Sequence, residues 1–292
     1  MAAASEHDAE TALRQTWRWL AAAPRAALAQ LACRFGYGAR GFVYVTIGAV
    51  ALLAALDRVP QAEGSVDALT AWSDWPLGFV LLWITGLGLY GFAFWRALQS
   101  VFDADRQGRS LKAVLTRIGQ AISGLVYGTL GYSVFGALDA LEDLAEPDDR
   151  KAEQAAAAQA LAAPGGEWLV VAVGVFILAA GIANAVKAVR GGLDDRLVCE
   201  DRLSRAAGAI GRIGYGARGL AFVVSGGLVI KAGLRAQADE AAGLGDALQT
   251  LEAAPFGDAI LVMTALGLLA FGFFAFLEAR YRTLPTAEVV ED

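Results

Sequence analysis

Six stretches of this chain run without a charged side chain: 41–56, 75–95, 118–138, 168–186, 219–230 and 259–277. A helix needs ~20 mostly apolar residues to cross a bilayer, and four of the stretches reach or approach that length. The first and fifth reach it only if each helix extends back through Arg40 or Arg218, which would place those arginines about a turn inside the apolar zone. Ahead of the second and sixth spans, Asp67-Ala68-Leu69 precedes Pro76 and Asp246-Ala247-Leu248 precedes Pro255 at the same spacing, which predicts a short amphipathic helix on the outer surface in each case. Proline then opens the next span, where its missing N–H is harmless. Between the third and fourth spans, a charged stretch from Glu142 to Glu153 and an alanine-rich run to Ala163 predict a solvated helix. The pattern predicts an all-α fold, a bundle of six transmembrane helices.

The spans repeat. Arg34-Phe35-Gly36-Tyr37-Gly38-Ala39-Arg40-Gly41 returns as Arg212-Ile213-Gly214-Tyr215-Gly216-Ala217-Arg218-Gly219, and more faintly as Arg117-Ile118-Gly119-Gln120-Ala121-Ile122-Ser123-Gly124. A repeated segment of this length marks one supersecondary unit, here a helical hairpin. The organisation read from it is an N-terminal segment 1–32, hairpins 33–115, 116–210 and 211–283, and a tail 284–292. Units with two spans each share one orientation. The second spans align around Gly91, Gly181 and Gly272, each after a proline at Pro76, Pro164 or Pro255.

Within the first spans an aromatic sits between two glycines every time: Gly41, Tyr44, Gly48; Gly124, Tyr127, Gly131; Gly219, Phe222, Gly226. Positions 37, 41, 44 and 48 share one helix face. Small residues at this spacing are how membrane helices dock, so this face reads as a packing seam. Arg40 and Arg218 are a different matter, because an ionisable residue inside a span is costly and a candidate for function. One reading has them snorkel to lipid phosphates with Tyr37 and Tyr44 shielding the stem. The other makes Arg34, Tyr37, Arg40, Arg212, Tyr215 and Arg218 a site for an anionic ligand, lipid headgroups or a partner's carboxylate, since guanidinium offers planar paired donors. Glu278, at the matching end of the last span, is the nearest counter-charge by depth.

All but Arg58, Arg150, Lys151, Lys231 and Arg235 of the 24 basic residues fall on one side of the six spans. The positive-inside rule then predicts both termini in the cytoplasm. Trp72, Trp75 and Trp168 are expected to mark one interface and Trp95 the other. With 57% apolar and 18% charged residues, the composition is that of a membrane protein. No basic block points to nucleic acid. Residues 1–30 lack the apolar core of a signal peptide, and 11–23 could lie as a helix on the inner surface.

Enzymatic chemistry finds little support. Gly36-Tyr37-Gly38-Ala39-Arg40-Gly41 has the spacing of a dinucleotide-binding loop, but that loop works only after a β-strand. The single histidine, His7, lies in the tail, no histidine and cysteine cluster offers a metal site, and no Asp or Glu falls within the uncharged runs. The expectation is therefore no cofactor, no metal and no catalytic residue.

The repeated Arg-x-Gly-Tyr-x-Ala-Arg-Gly start, with two spans per copy and three copies, resembles the bacterial membrane family catalogued as domain of unknown function 1206 over about residues 33–282. Copy two departs from it, with Gln120 for the Tyr and Ser123 for the second Arg. The resemblance implies a six-helix integral membrane protein and no activity. The expected role is structural or accessory, at the cytoplasmic membrane, with membrane lipids or a protein as partner. The alternative is a small transporter of an anionic or amphipathic solute. A threefold enclosure of a solute path is possible in principle for three such hairpins, but no polar ladder is visible in the spans, where Asn184 and Thr85 look isolated.

Overall fold

A computed structural model describes residues 30–73, 75–103, 107–142, 148–195 and 197–282, with the backbone alone for 140–142. The surface helix expected over 11–23 and the tail 284–292 lie outside the described residues. Among the described residues, six helices are long and apolar enough to cross a membrane. They are α1 (Gln30–Ala55), α3 (Gly78–Val101), α4 (Leu111–Glu142), α6 (Gly166–Arg190), α7 (Asp201–Arg235) and α9 (Gly257–Tyr281). Between the members of each pair lies a shorter helix: α2 (Ser65–Thr70), α5 (Asp149–Leu161) and α8 (Leu244–Glu252). Each copy is thus a span, a connector helix and a span. α1 and α7 do run back through Arg40 and Arg218, as the short uncharged runs require. Asp67 and Asp246 sit in the first turns of α2 and α8. The long helices begin two residues after each proline, at Gly78, Gly166 and Gly257. There a Cβ would lie within 2.0 Å of a carbonyl oxygen in the preceding turn, so glycine lets the chain fold back tightly.

The copies join through glycines. A Cβ on Gly41 or Gly48 of α1 would lie 2.9 Å from the carbonyl oxygens of Gly272 or Ala265 on α9. On Gly124 or Gly131 of α4 it would lie 3.3 or 3.4 Å from those of Ala93 or Gly86 on α3. On Gly219 or Gly226 of α7 it would lie 3.0 or 2.9 Å from those of Gly181 or Gly174 on α6. The first long helix of every copy therefore packs on the second long helix of another copy, α4 on α3, α7 on α6 and α1 on α9, which returns the third copy to the first. Backbone-to-backbone approach of this kind is how membrane helices associate without a hydrophobic drive between them. The register corrects one expectation: Ala93, not Gly91, shares the role of Gly181 and Gly272, while Gly91 faces Ala32 of α1. Trp95 is also not an interfacial belt residue. It is almost wholly buried, because its stretch of α3 faces the interior, whereas Trp75 and Trp168 are exposed.

Inside copies one and three the two long helices also pack closely. Gly36 lies against the backbone of Phe92, and Gly214 against that of Phe271, with a Cβ on either only 2.6 or 2.5 Å away. Ala39 points at Gly88, and Ala217 at Gly267. Copy two is different: α4 and α6 make no sustained contact, and a Cβ on Gly119 would meet nothing within 4 Å. With the three prolines aligned, Phe176 stands where the other copies have Gly88 and Gly267, and Ile122 where they have Ala39 and Ala217. An alanine over a glycine lets two backbones touch; an isoleucine over a phenylalanine does not.

The connector helices meet at their N-termini. Asp149 Oδ2 accepts the Val66 N–H at 2.8 Å, and Asp67 Oδ1 accepts the Asp149 N–H at 3.0 Å, so α2 and α5 cap each other. Arg150 pairs with Asp246 of α8, and Gln249 Nε2 donates to the Ala62 carbonyl at 2.9 Å. Burial, then the charge of Asp149, pushes Asp67 up to about 6 and Glu153 up to about 7. Burial raises Asp149 and Glu63 as well, while the Lys151 N–H holds Asp148 low. Carboxyls raised above their unfolded values of ~4 stabilise the fold fully below that pH, and the contribution is lost as pH rises through 6 to 7. Amide exchange in α2 and α5, corrected for intrinsic rates, should therefore be slower at pH 5 than at pH 8. Asp67→Asn with Glu153→Gln should flatten the difference; equal protection at both pH values in the unaltered protein would refute this.

Candidate functional site

The Arg-Tyr-Gly motifs divide into parts with different work. The first arginine of each copy reaches the C-terminus of the helix it packs on: Arg34 Nη1 donates to the Arg280 carbonyl at 3.5 Å, Arg117 Nε to the Ser100 carbonyl at 2.6 Å, and Arg212 Nη2 to the Val189 carbonyl at 3.2 Å. A cation at a helix C-terminus satisfies carbonyls that have no partner in the helix and meets the negative end of its dipole. Arg34 and Arg212 are in this sense clamps across the ring seams.

The tyrosines point inward. Tyr37 sits edge-on to Phe92, with ring centroids 5.2 Å apart, and Tyr215 edge-on to Phe271 at 5.1 Å. Tyr44 meets Phe271 at 4.7 Å and Tyr127 meets Phe92 at 4.7 Å, both edge to face. These rings form the aromatic centre of the bundle, in the geometry that places positive ring edges on negative faces.

Arg40 is buried in that centre at 2% exposure, so it does not snorkel. Its Nη2 donates to Glu278 Oε2 at 3.0 Å, and its guanidinium lies 4.7 Å from the Phe271 ring and 5.2 Å from that of Tyr37. Glu278 Oε1 also accepts from Arg282 at 2.8 Å. A charge this deep persists only when paired and hydrogen-bonded, and α1 and α9 supply the two partners across the closing seam.

Arg218, the matching residue of copy three, has other neighbours. Its Nε donates to the Tyr44 hydroxyl at 2.7 Å and its Nη1 to Asn184 Oδ1 of α6 at 3.3 Å. It lies over the Phe222, Phe271 and Tyr44 rings at 4.3, 5.0 and 5.3 Å. Among the described residues no carboxylate reaches it, and it is only half-buried. Asn184, isolated in the sequence, is thus a buried partner of this arginine. One turn further along α6, exposed Lys187 holds its ammonium 5.5 Å from the Tyr215 ring. Lys187 escaped the sequence reading and Asn184 was read only as an isolated polar residue, although the three prolines in register align Lys187 with Glu278 and would have exposed the exchange of sign. Among the described residues no group of three or more His, Cys, Asp and Glu is placed to hold a metal ion.

Six apolar spans joined seam to seam around a buried aromatic and cationic centre define a multi-pass membrane protein built from three internal repeats. The chain belongs to the family described as Domain of Unknown Function (DUF1206), whose model matches residues 35–103, 118–191 and 213–282. It is 30% identical over 262 residues to "Uncharacterized protein YxxB" of Bacillus subtilis (strain 168), covering 85% of this chain and 90% of that one. No solved structure matches the chain.

Proposed function

We propose that this is a non-enzymatic accessory protein of the bacterial cytoplasmic membrane, with three parallel hairpins and both termini in the cytoplasm, which binds anionic lipid headgroups through the motif of its third copy. The observation that carries the reading is the contrast between the two equivalent arginines. Arg40 is paired with Glu278 and serves the fold; Arg218 has amide, hydroxyl and ring partners but, among the described residues, no counter-charge. A guanidinium held in place and left with net charge is suited to a phosphate or carboxylate.

Protein released from nanodiscs containing equal phosphatidylglycerol and phosphatidylcholine should retain phosphatidylglycerol preferentially in native mass spectra. Equal retention of both would sink the reading. The parting of α4 and α6 favours a second reading, transport of an anionic amphiphile. Proteoliposomes separate the two: an accessory protein leaves the flux of a labelled carboxylate amphiphile at the protein-free level, and a transporter raises it.

A further inference from the structure

We infer that the open side of copy two is the inlet to a site for one anionic amphiphile, its head held by Arg218 and Lys187 and its tail leaving between α4 and α6. This rests on the proposed lipid-binding function and adds a location, a route and a ligand class.

The head site follows from comparing the three ring seams at one depth. In register, the first long helices offer Arg40, Ser123 and Arg218, and the helices they pack on offer Glu278, Gln99 and Lys187. The α1–α9 seam therefore holds a cation and a carboxylate, 3.0 Å apart. The α4–α3 seam holds two uncharged residues. The α7–α6 seam holds two cations. Arg218 is tied to Asn184, one turn before Lys187 on α6, so both cations belong to one short stretch of this seam and draw an anion to it. Asn184 and Tyr44 fix Arg218 through Nη1 and Nε, and among the described residues nothing accepts from its Nη2. On α4, buried Tyr127 brings its hydroxyl beside that of Tyr44, the partner of Arg218. Held donors facing an unbalanced positive charge are the chemistry of a carboxylate or phosphate diester site.

The route follows from the side chains that keep α4 and α6 apart. Ile122 and Phe176 replace the alanine and glycine that seal copies one and three, and Gly119 consequently faces open space where Gly36 and Gly214 face backbone. The outward faces of both helices are apolar, with Leu125, Val126, Val173 and Ile182 exposed. A molecule entering there comes from the bilayer and brings a tail.

Two variants test the parts, each copying another seam of the same molecule so that the fold has a precedent. Lys187→Glu gives Arg218 the counter-charge that Arg40 has. Ile122→Ala with Phe176→Gly gives α4 and α6 the contact that seals the other copies. Using phosphatidylglycerol in equal-mixture nanodiscs as the probe, each variant should lower phosphatidylglycerol retention about tenfold or more while unfolding at or above the wild-type temperature. Inorganic phosphate added to delipidated protein should give no stabilisation, because it lacks the tail. Unchanged retention in Lys187→Glu would put the headgroup elsewhere and overturn the site, with lipid binding itself intact. Retention in the Ile122/Phe176 variant would overturn the lateral route, and stabilisation by phosphate alone would overturn the amphiphile. If the unaltered protein shows no preference for phosphatidylglycerol, the proposed function fails together with this inference.

Discussion

Glu278→Gln is expected to lower the free energy of unfolding by about 3–5 kcal/mol, the range found when one member of a buried ion pair is removed and the other is left charged. The substitution keeps the shape of the side chain, so the loss is electrostatic. Arg40, at 2% exposure, would retain its charge among the rings of Phe271, Phe92 and Tyr37, with a neutral amide in place of the carboxylate. Arg282 would lose the same partner from its own side. The α4–α3 seam supplies the control, because there the equivalent positions are Ser123 and Gln99. The double variant Arg40→Ser with Glu278→Gln removes both charges and should be less destabilised than the sum of the single variants, by more than about 1 kcal/mol of coupling. Denaturant unfolding in detergent, followed by tryptophan fluorescence, reads both quantities. A loss below about 1 kcal/mol for Glu278→Gln would mean that the pair is not what holds α9 to α1.

That pair also marks the boundary of what the chain reveals before its structure is known. The existence of each long helix is a local matter, fixed by apolar length, which is why the need for α1 and α7 to extend back through Arg40 and Arg218 was legible. The connector helices were legible too, since Asp67 and Asp246 keep the same distance from their prolines. The glycine-aromatic-glycine face of the first spans read as a packing seam; in the structure its glycines lie against α9, α3 and α6. The identity of the facing helix did not follow, because it depends on contacts between copies far apart in the chain. Arg40 and Glu278 stand 238 positions apart and meet only because α9 returns to α1. Trp95 misled for a related reason: a tryptophan near the end of a span looks interfacial until the neighbours that bury it are known. The asymmetry of copy two was present in Ile122 and Phe176, but they gain meaning only beside the alanine and glycine of the other copies, with the second spans aligned on their prolines rather than on Gly91.

The same asymmetry gives the sharpest contrast in the molecule, among three glycines that the repeat makes equivalent. Gly36→Val and Gly214→Val should each cost upwards of 4 kcal/mol or abolish folding, whereas Gly119→Val should change stability by less than about 0.5 kcal/mol. At Gly36 the first added carbon would sit 2.6 Å from the Phe92 backbone, and at Gly214 2.5 Å from that of Phe271. Backbone cannot swing aside as a flexible side chain can, so relief requires moving α1 from α3 or α7 from α9. The aromatic centre would then lose the contacts of Tyr37 with Phe92 and of Tyr215 with Phe271, and overpacking of this degree goes beyond what cores absorb. At Gly119 nothing lies within 4 Å, and valine in a membrane helix carries little conformational penalty of its own. Thermal unfolding of the three variants in one detergent decides the matter. A Gly119→Val variant as unstable as the other two would show that α4 and α6 close on each other in the membrane, and the inlet between them would not exist. A tolerated Gly119→Val beside two failed partners would show that one repeat, encoded three times, seals two of its hairpins and leaves the third open.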